Sequence, residues 1–220
     1  VGAAVELGAF SALCWHAGLA LSRLNPAGTG AGNTTGGKRM PVGLISAAAR
    51  ASALSEWAPR SAAAACAPSA SASSRYNGMA APLSRLAVRA VVWAHGASDA
   101  RRGARADTYG RCLRALIARW RDAGPTGDYA WAMAQLGVVK GVRPASADAA
   151  AALRLAQASA LPAPLDSMAD AVDASTLAPS YDLLGPFGNA SELGRRVALG
   201  IAHAAYGKQE PAVGWAPPHL

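Results

Sequence analysis

The chain has 220 residues, of which 52% are hydrophobic and 15% charged, which excludes a disordered protein and predicts a globular domain with a sizeable core. No apolar run is long enough to cross a bilayer, so no membrane span is predicted. The formal net charge is +8, and the arginine excess behind it either attracts polyanions or reflects a GC-rich genome; without a nucleic-acid motif, we predict no nucleic-acid partner.

The N-terminal half is predicted to contain a helix, a loop and a buried strand. A helix is predicted over residues 5–24, because apolar residues recur there at three- and four-residue spacing. The glycine-rich residues 25–38 form a loop without phosphate-loop spacing, so we predict no nucleotide site there. "PVGLIS" (41–46) is predicted to be a strand of a parallel sheet, and a helical turn runs through Leu54 and Trp57. The low-complexity residues 61–74 are predicted to be a surface loop or a loosely ordered insertion.

The C-terminal half continues the alternation of strands and helices. The clearest helix carries one apolar stripe, formed by Tyr109, Cys112, Leu113, Leu116, Ile117 and Trp120. The remaining predicted elements are strands at 86–94 and 129–139, helices at 147–158 and 191–206, and a mostly irregular segment at 162–188. This alternation predicts an α/β fold with a parallel sheet covered on both faces.

Residues 1–208 are predicted to form one domain, followed by a proline-rich extended tail at 209–220. The chain starts at Val1 and enters a helical pattern almost at once, so we interpret it as a fragment or a processed product. Two glycosylation sequons, at Asn33 and Asn189, together with the family resemblance described below, favour secretion weakly and leave the compartment undecided.

The three cysteines show no metal-ligand spacing, so no metal site is predicted. At most one disulfide could form among Cys14, Cys66 and Cys112. Cys14 and Cys112 lie on apolar helical faces, and we interpret them as buried free thiols.

The segment "RYNGMAAPLSRLAVRAVVWAHGASD" resembles the sialate O-acetylesterase family, carbohydrate esterases of the SGNH-hydrolase superfamily. Family members typically carry "YNGMIAPL", then a strand, then "WYQGES". The matching residues here are Tyr76, Asn77, Gly78, Met79, Ala81, Pro82, Leu83, Trp93, Gly96 and Ser98. "PVGLI", "LIARWR", "LRLAQ" and the helix before Tyr206 extend the resemblance in the same order along nearly the whole chain.

The resemblance implies a three-layer α/β/α sandwich with a mostly parallel sheet. It also implies the removal of acetyl groups from sugar hydroxyls by a serine nucleophile with a histidine base, without a metal or organic cofactor. Such acyl transfer needs a nucleophile, a base within hydrogen-bond reach, and donors for the developing oxyanion.

The residues that carry the family's catalysis are altered in this chain. The "GQSNM"-like nucleophile block should precede Pro41, but only Ser11 and Ser22 occur there, both in a helical pattern. At the family's "WGGT" turn stand Ala49, Arg50, Ala51 and Ser52; the Ala51 backbone N–H could still serve as an oxyanion donor, although alanine and arginine resist glycine backbone angles.

The residues at the family's "WYQGES" segment and at its base position also differ. In "WAHGASD", His95 replaces the family's glutamine and Ala97 its glutamate, while Gly96 and Ser98 are kept. Gly185 stands where the base histidine would be, and Asp182, one position from the family's aspartate, is interpreted as a shifted remnant. His203 lies inside the last helix and cannot easily replace the missing base.

Three hypotheses follow. The first is a degenerate esterase fold that has lost its reaction and serves a structural or binding role, perhaps within a larger assembly of protein subunits. The second is an active carbohydrate O-acetylesterase whose nucleophile lies in a missing N-terminal segment. The third is a glycan-binding module in which Trp57, Tyr76 and Trp93 stack on sugars; the alternative for these aromatic residues is core packing.

Overall fold

The computed structural model describes residues 10–24, 41–125, 129–137, 144–161, 175–178 and 190–206. Within these ranges the regular elements are α1 (Ala12–Leu24), α2 (Leu54–Trp57), β1 (Ala90–Ala94), α3 (Ala97–Arg101), α4 (Ala106–Ala123), β2 (Ala130–Ala134), α5 (Pro144–Ala160), β3 (Ser175–Ala178) and α6 (Ala190–Tyr206). Between α2 and β1 the chain makes two 3₁₀ turns, Arg60–Ala65 and Ala81–Arg85, and one π-helical turn, Tyr76–Ala80.

The three described strands form a parallel sheet in the order β1-β2-β3. Val92 pairs with Ala132, which pairs in turn with Thr176. Parallel neighbours require crossover connections, and helices supply them: α3 and α4 join β1 to β2, and α5 joins β2 to β3. The carboxyl ends of the strands therefore meet at one edge of the sheet.

Side chains alternate between the two faces of the sheet and divide the core in two. Trp93, Trp131 and Met133 pack with the helices α4 and α5, while Ala132 and Ala134 pack with α1 and α6. This period-two alternation gives three layers, helices on a sheet on helices. The predicted three-layer α/β/α sandwich with a parallel sheet is confirmed.

The helix α4 has the buried apolar stripe that the sequence predicts. Tyr109, Cys112, Leu113, Leu116 and Ile117 are buried on one stripe, as predicted. Arginines occupy the exposed side of the helix at positions 111, 114 and 119. An amphipathic surface helix of this kind is held mainly by burial of its apolar face.

On the other face of the sheet, α1 and α6 approach each other closely at Gly194. A Cβ atom at this position would lie 2.6 Å from Cβ of His16 and 2.8 Å from the backbone nitrogen of Ala17. Only a residue without a side chain permits this contact, so Gly194 sets the distance between the two helices.

Two predicted strands are shortened and one is wrong. The strands predicted at 86–94 and 129–139 extend only over Ala90–Ala94 and Ala130–Ala134. Residues 41–46 are not a strand: within the described chain they make no backbone–backbone hydrogen bond, although the Ser46 hydroxyl accepts the Ser11 N–H. An apolar run alone does not make a strand, because the ladder needs a partner. The third strand, β3, lies instead in the segment predicted to be irregular.

The prediction that Cys112 is a free thiol is wrong, because Cys66 and Cys112 form a disulfide. The two residues are 46 positions apart, so sequence spacing could not reveal their proximity. Cys14 is free and half-buried, and burial raises the pKa of its thiol. The disulfide also links residues 61–74, the predicted insertion, to the helix α4. This segment is largely exposed, but its residues Ala62, Cys66 and Ser73 are buried.

None of the described helices is long and apolar enough to cross a membrane. Several predictions fall outside the described residues, namely the glycine-rich loop at 25–38, the sequons at Asn33 and Asn189, Asp182, Gly185 and the tail at 209–220.

Candidate functional site

The candidate site is the turn after β1, at the edge where the parallel strands end. His95, Gly96 and Ser98 lie in or just after this turn. Gln157 of α5 ties it to the neighbouring strand end: its amide nitrogen donates to the His95 carbonyl at 2.9 Å, and its amide oxygen accepts the Leu136 N–H at 2.8 Å. Gln157 is fully buried, so these hydrogen bonds hold the ends of β1 and β2 together.

Gly96 is required by both conformation and space. Its φ of +119° lies in a region that favours glycine. A Cβ atom there would approach the Tyr109 hydroxyl at 3.3 Å and the Gln157 amide nitrogen at 3.4 Å. The predicted turn residue is therefore part of the tight packing of this edge.

His95 is enclosed in the core behind the turn. Its side chain is 8% exposed, and its ring stacks between Trp93 and Tyr109, with centroid distances of 5.5 and 6.3 Å. Its Nδ1 lies 3.5 Å from the Tyr109 hydroxyl and 3.6 Å from Oδ2 of Asp99. The site thus contains an imidazole next to a carboxylate, the pair that orients a base in many hydrolases.

Asp99, which the sequence did not single out, completes this cluster from the first turn of α3. Its Oδ1 accepts the Leu54 N–H at 3.3 Å and so connects α3 to α2. Burial raises the pKa of the Asp99 carboxyl, which His95 partly opposes. Burial lowers the pKa of His95, because the cost of desolvating the imidazolium outweighs the attraction of Asp99. The spacing of four residues between His95 and Asp99 was the available sequence signal.

Burial of His95 predicts a loss of stability in acid. The folded state disfavours the charged imidazole, so the unfolded chain binds the proton more readily and stability is lost as pH falls below 6.5, the unshifted pKa. Asp99 acts with the opposite sign, because the folded state holds its proton more tightly and its contribution is lost as pH rises above 3.8.

His95→Gln is expected to remove up to about 1.4 kcal/mol per pH unit from the acid-side slope of the free energy of unfolding. Urea unfolding at a series of pH values between about 5 and 7 measures this slope. His203→Gln, at an exposed position of α6, is the matched control. An unchanged slope in His95→Gln would show that His95 titrates alike in the folded and unfolded states.

The second part of the site is the turn through Ala49, Arg50, Ala51 and Ser52. The Ser52 hydroxyl is buried, donates to the Ala49 carbonyl at 3.0 Å and accepts the Trp57 indole N–H at 2.9 Å. The Arg102 guanidinium donates to the Ala51 carbonyl at 3.0 Å. Ser52 is therefore engaged in holding the turn, and Arg102 joins this turn to the end of α3.

Ala51 has a φ of +57°, the left-handed conformation that costs a residue with a Cβ about 1–2 kcal/mol. Ala51→Gly is therefore expected to raise the free energy of unfolding by about 0.5–1 kcal/mol, after the greater flexibility of glycine in the unfolded chain is subtracted. Urea unfolding checks the value. Ala118→Gly, at an exposed position inside α4, is the control and should lower stability by about 1 kcal/mol.

The aromatic residues proposed for sugar stacking lie in the core. Trp57 and Trp93 are both buried and meet edge to face at 6.0 Å. Tyr76 is half-buried and packs against Trp120 at 6.1 Å. Because Trp57 and Trp93 are only 4% and 6% exposed, neither indole offers an open surface to a sugar. Core packing, the alternative interpretation, accounts for both.

Ser98 lies near the histidine in sequence but does not pair with it. Its backbone carbonyl accepts the Arg102 N–H at 3.1 Å, and no described serine hydroxyl forms a hydrogen bond with His95. Among the described residues, no group of three His, Cys, Asp or Glu side chains could hold a metal ion. The described part of the site therefore has an imidazole and a carboxylate but no paired nucleophile.

Comparisons with known proteins agree with the architecture. The family model described as "Carbohydrate esterase, sialic acid-specific acetylesterase" matches residues 23–198. A solved structure of XAC1771, described as a novel carbohydrate acetylesterase from Xanthomonas citri, is similar with a TM-score of 0.55 at 24% sequence identity. The match covers 72% of this chain and 36% of that chain, so this chain spans little more than a third of its length. No curated protein matches this chain significantly.

Proposed function

Because the chain belongs to the carbohydrate esterase family of sialic acid-specific acetylesterases, we propose that it keeps that family's scaffold in a structural or glycan-binding role without hydrolysing acetyl esters itself. The observation that carries the proposal is the state of His95. Its imidazole lies at the edge where the strands end, yet it is buried between aromatic rings and has no serine hydroxyl as a partner among the residues that the structure describes.

The chemistry of acyl transfer supports this proposal. A serine becomes a nucleophile when a base removes its proton within about 3.2 Å, and the loss of nucleophile or base costs several orders of magnitude in rate. The Ser52 hydroxyl is already hydrogen-bonded to Ala49 and Trp57. If this hydroxyl turned away to act as a nucleophile, the buried indole N–H of Trp57 would lose its partner. Gly185, which the resemblance places at the base position, carries no titratable group.

The proposal is tested with the purified chain and 4-nitrophenyl acetate. We expect no hydrolysis above that of the Ser98→Ala variant, and no labelling by a serine-directed fluorophosphonate detected by mass spectrometry. Hydrolysis by the purified chain that the fluorophosphonate abolishes would contradict the proposal, and the labelled peptide would identify the nucleophile.

A second candidate function is an active carbohydrate O-acetylesterase whose nucleophile is supplied by polypeptide outside these 220 residues. The observation that favours it is length, because this chain covers 36% of the XAC1771 chain. Upstream coding sequence with a "GQSNM"-like turn, and esterase activity that appears in the extended chain and disappears when that serine is replaced by alanine, would establish it. Activity that is absent from the extended chain would reject it.

A further inference from the structure

We propose that a cluster of exposed arginines beside the candidate site binds a polysaccharide chain that carries carboxylates. The arginine cluster consists of Arg50, Arg101, Arg102 and Arg105. This inference rests on the proposed glycan-binding role and gives it a ligand class. Arg50 stands in the turn at which the family places an oxyanion donor, but no step of acyl transfer is assigned to any of the four guanidinium groups.

The fold brings the arginine cluster together from two distant parts of the sequence. Arg50 belongs to the turn before α2, whereas Arg101 and Arg102 end α3 and Arg105 precedes α4. The Arg102 guanidinium bridges the two parts by its 3.0 Å hydrogen bond to the Ala51 carbonyl. All four residues are exposed, and Arg101 and Arg102 end the helix that begins directly after Gly96.

The positive charge of the cluster is only partly balanced. Asp107 is the exposed carboxylate near it, and it is shared between Arg105 and Arg111. The hydrogen bond from Arg105 lowers the pKa of Asp107 to about 2, so this carboxylate is ionised and already engaged. Asp99 is buried and directed at Leu54 and His95. Within the described residues, Arg50 and Arg101 form no ion pair, so their guanidinium groups are available to an external anion.

The chemistry of the cluster fits carboxylates repeated along a polymer. A guanidinium donates two parallel hydrogen bonds to one carboxylate, and several arginines in a row suit a chain that carries such groups at intervals. A long anionic ligand also gains from the overall charge of +8, which favours its approach.

Two observations favour a polysaccharide over a nucleic acid. Single-stranded nucleic acids are bound by exposed aromatic side chains on which bases stack, whereas Trp57 and Trp93 next to the cluster are buried. The disulfide between Cys66 and Cys112 is typical of proteins in oxidising compartments, outside the cytosol and nucleus where nucleic acids lie.

The test measures binding of polygalacturonate to the full chain at low ionic strength. We expect binding that weakens with added salt, and a loss of about tenfold in affinity in the triple variant Arg50→Gln, Arg101→Gln, Arg105→Gln. Arg102 is left in place because it holds the Ala51 turn. Fully methyl-esterified polygalacturonate, which has the same backbone without the charge, should not bind.

A control variant separates the cluster from the overall charge. Arg23→Gln, Arg85→Gln, Arg119→Gln removes the same charge from exposed positions on α1, on the turn before β1 and near the end of α4. We expect it to bind polygalacturonate within about twofold of the unmodified chain. Circular dichroism melting checks that both triple variants are folded.

Three results would overturn the inference: no binding of polygalacturonate at low salt, equal loss of binding in the control variant, or equally tight binding of single-stranded DNA through the same arginines. Each of them leaves the proposed absence of hydrolysis standing, because the esterase assay does not depend on binding. Conversely, fluorophosphonate-sensitive hydrolysis would reject the proposed function even if polygalacturonate binds.

Discussion

Trp93→Ala is expected to lower the free energy of unfolding by about 3–5 kcal/mol, the cost of removing a large aromatic side chain from a packed core. Trp93 is 6% exposed and contacts the rings of Trp57, Trp120 and Trp131 at 5.4–6.0 Å. Its loss would leave a cavity between the sheet and the helices that cover it. Urea unfolding followed by far-UV circular dichroism measures the change.

The control for Trp93 is Trp15→Ala on α1, where the indole is 43% exposed. This substitution is expected to cost less than about 1 kcal/mol. If Trp93→Ala instead left stability unchanged and removed binding to a glycan, the indole would be a sugar platform after all. The pair of variants therefore decides between core packing and the stacking hypothesis.

Removal of the disulfide is expected to lower the free energy of unfolding by roughly 4 kcal/mol in the double variant Cys66→Ala, Cys112→Ala. The crosslink closes a separation of 46 residues, and the loop-closure entropy of a segment of that length gives this magnitude. Both positions are buried, so the double variant also avoids a single unpaired thiol in the core. The measurement is urea unfolding without reductant.

Cys14→Ala serves as the control for the disulfide variant, since Cys14 is free. Dithiothreitol should bring the unmodified protein close to the double variant while leaving the double variant itself unaffected. Detection of three reactive thiols in the unreduced, denatured protein would contradict the disulfide.

Patterns of short range were the most readable part of this sequence. The stripe on α4 and the helices α1 and α6 follow from periodicity of three to four residues, which one face of a buried helix imposes whatever its neighbours are, whereas α5 was predicted from its alanine-rich composition. The family was also predictable, because "YNGMAAPL" and the residues after it are specific and in order.

The strands were harder to predict than the helices, because the backbone hydrogen bonds of a strand are made with a neighbouring strand. "PVGLIS" and "AVVWA" are both apolar, yet only the second pairs, since β2 lies beside it. The reverse error occurred at Ser175–Ala178, which is short and surrounded by irregular sequence but pairs with β2. Apolar character selects the interior, and the neighbour decides whether the segment becomes a strand.

Part of the candidate site was also predictable. Gly96, His95 and Ser98 lie at the strand end where the sequence placed them, and Ala51 adopts a left-handed angle that alanine resists. The enclosure of His95 by Trp93, Asp99 and Tyr109 was not predictable. The hydrogen bonds by which Gln157 connects the ends of β1 and β2 were not predictable either. These contacts join residues up to 62 positions apart.

The amino-acid sequence by itself determined the alternation of helices and strands, the glycine at the turn and the family. The tertiary structure decided which cysteines pair, that Trp57 and Trp93 face inward, that the histidine is enclosed, and that Arg102 joins the end of α3 to the turn that contains Arg50. The division has a physical reason: periodicity and backbone angles are imposed by covalent neighbours, whereas burial, pKa and charge clustering depend on residues that only folding brings together.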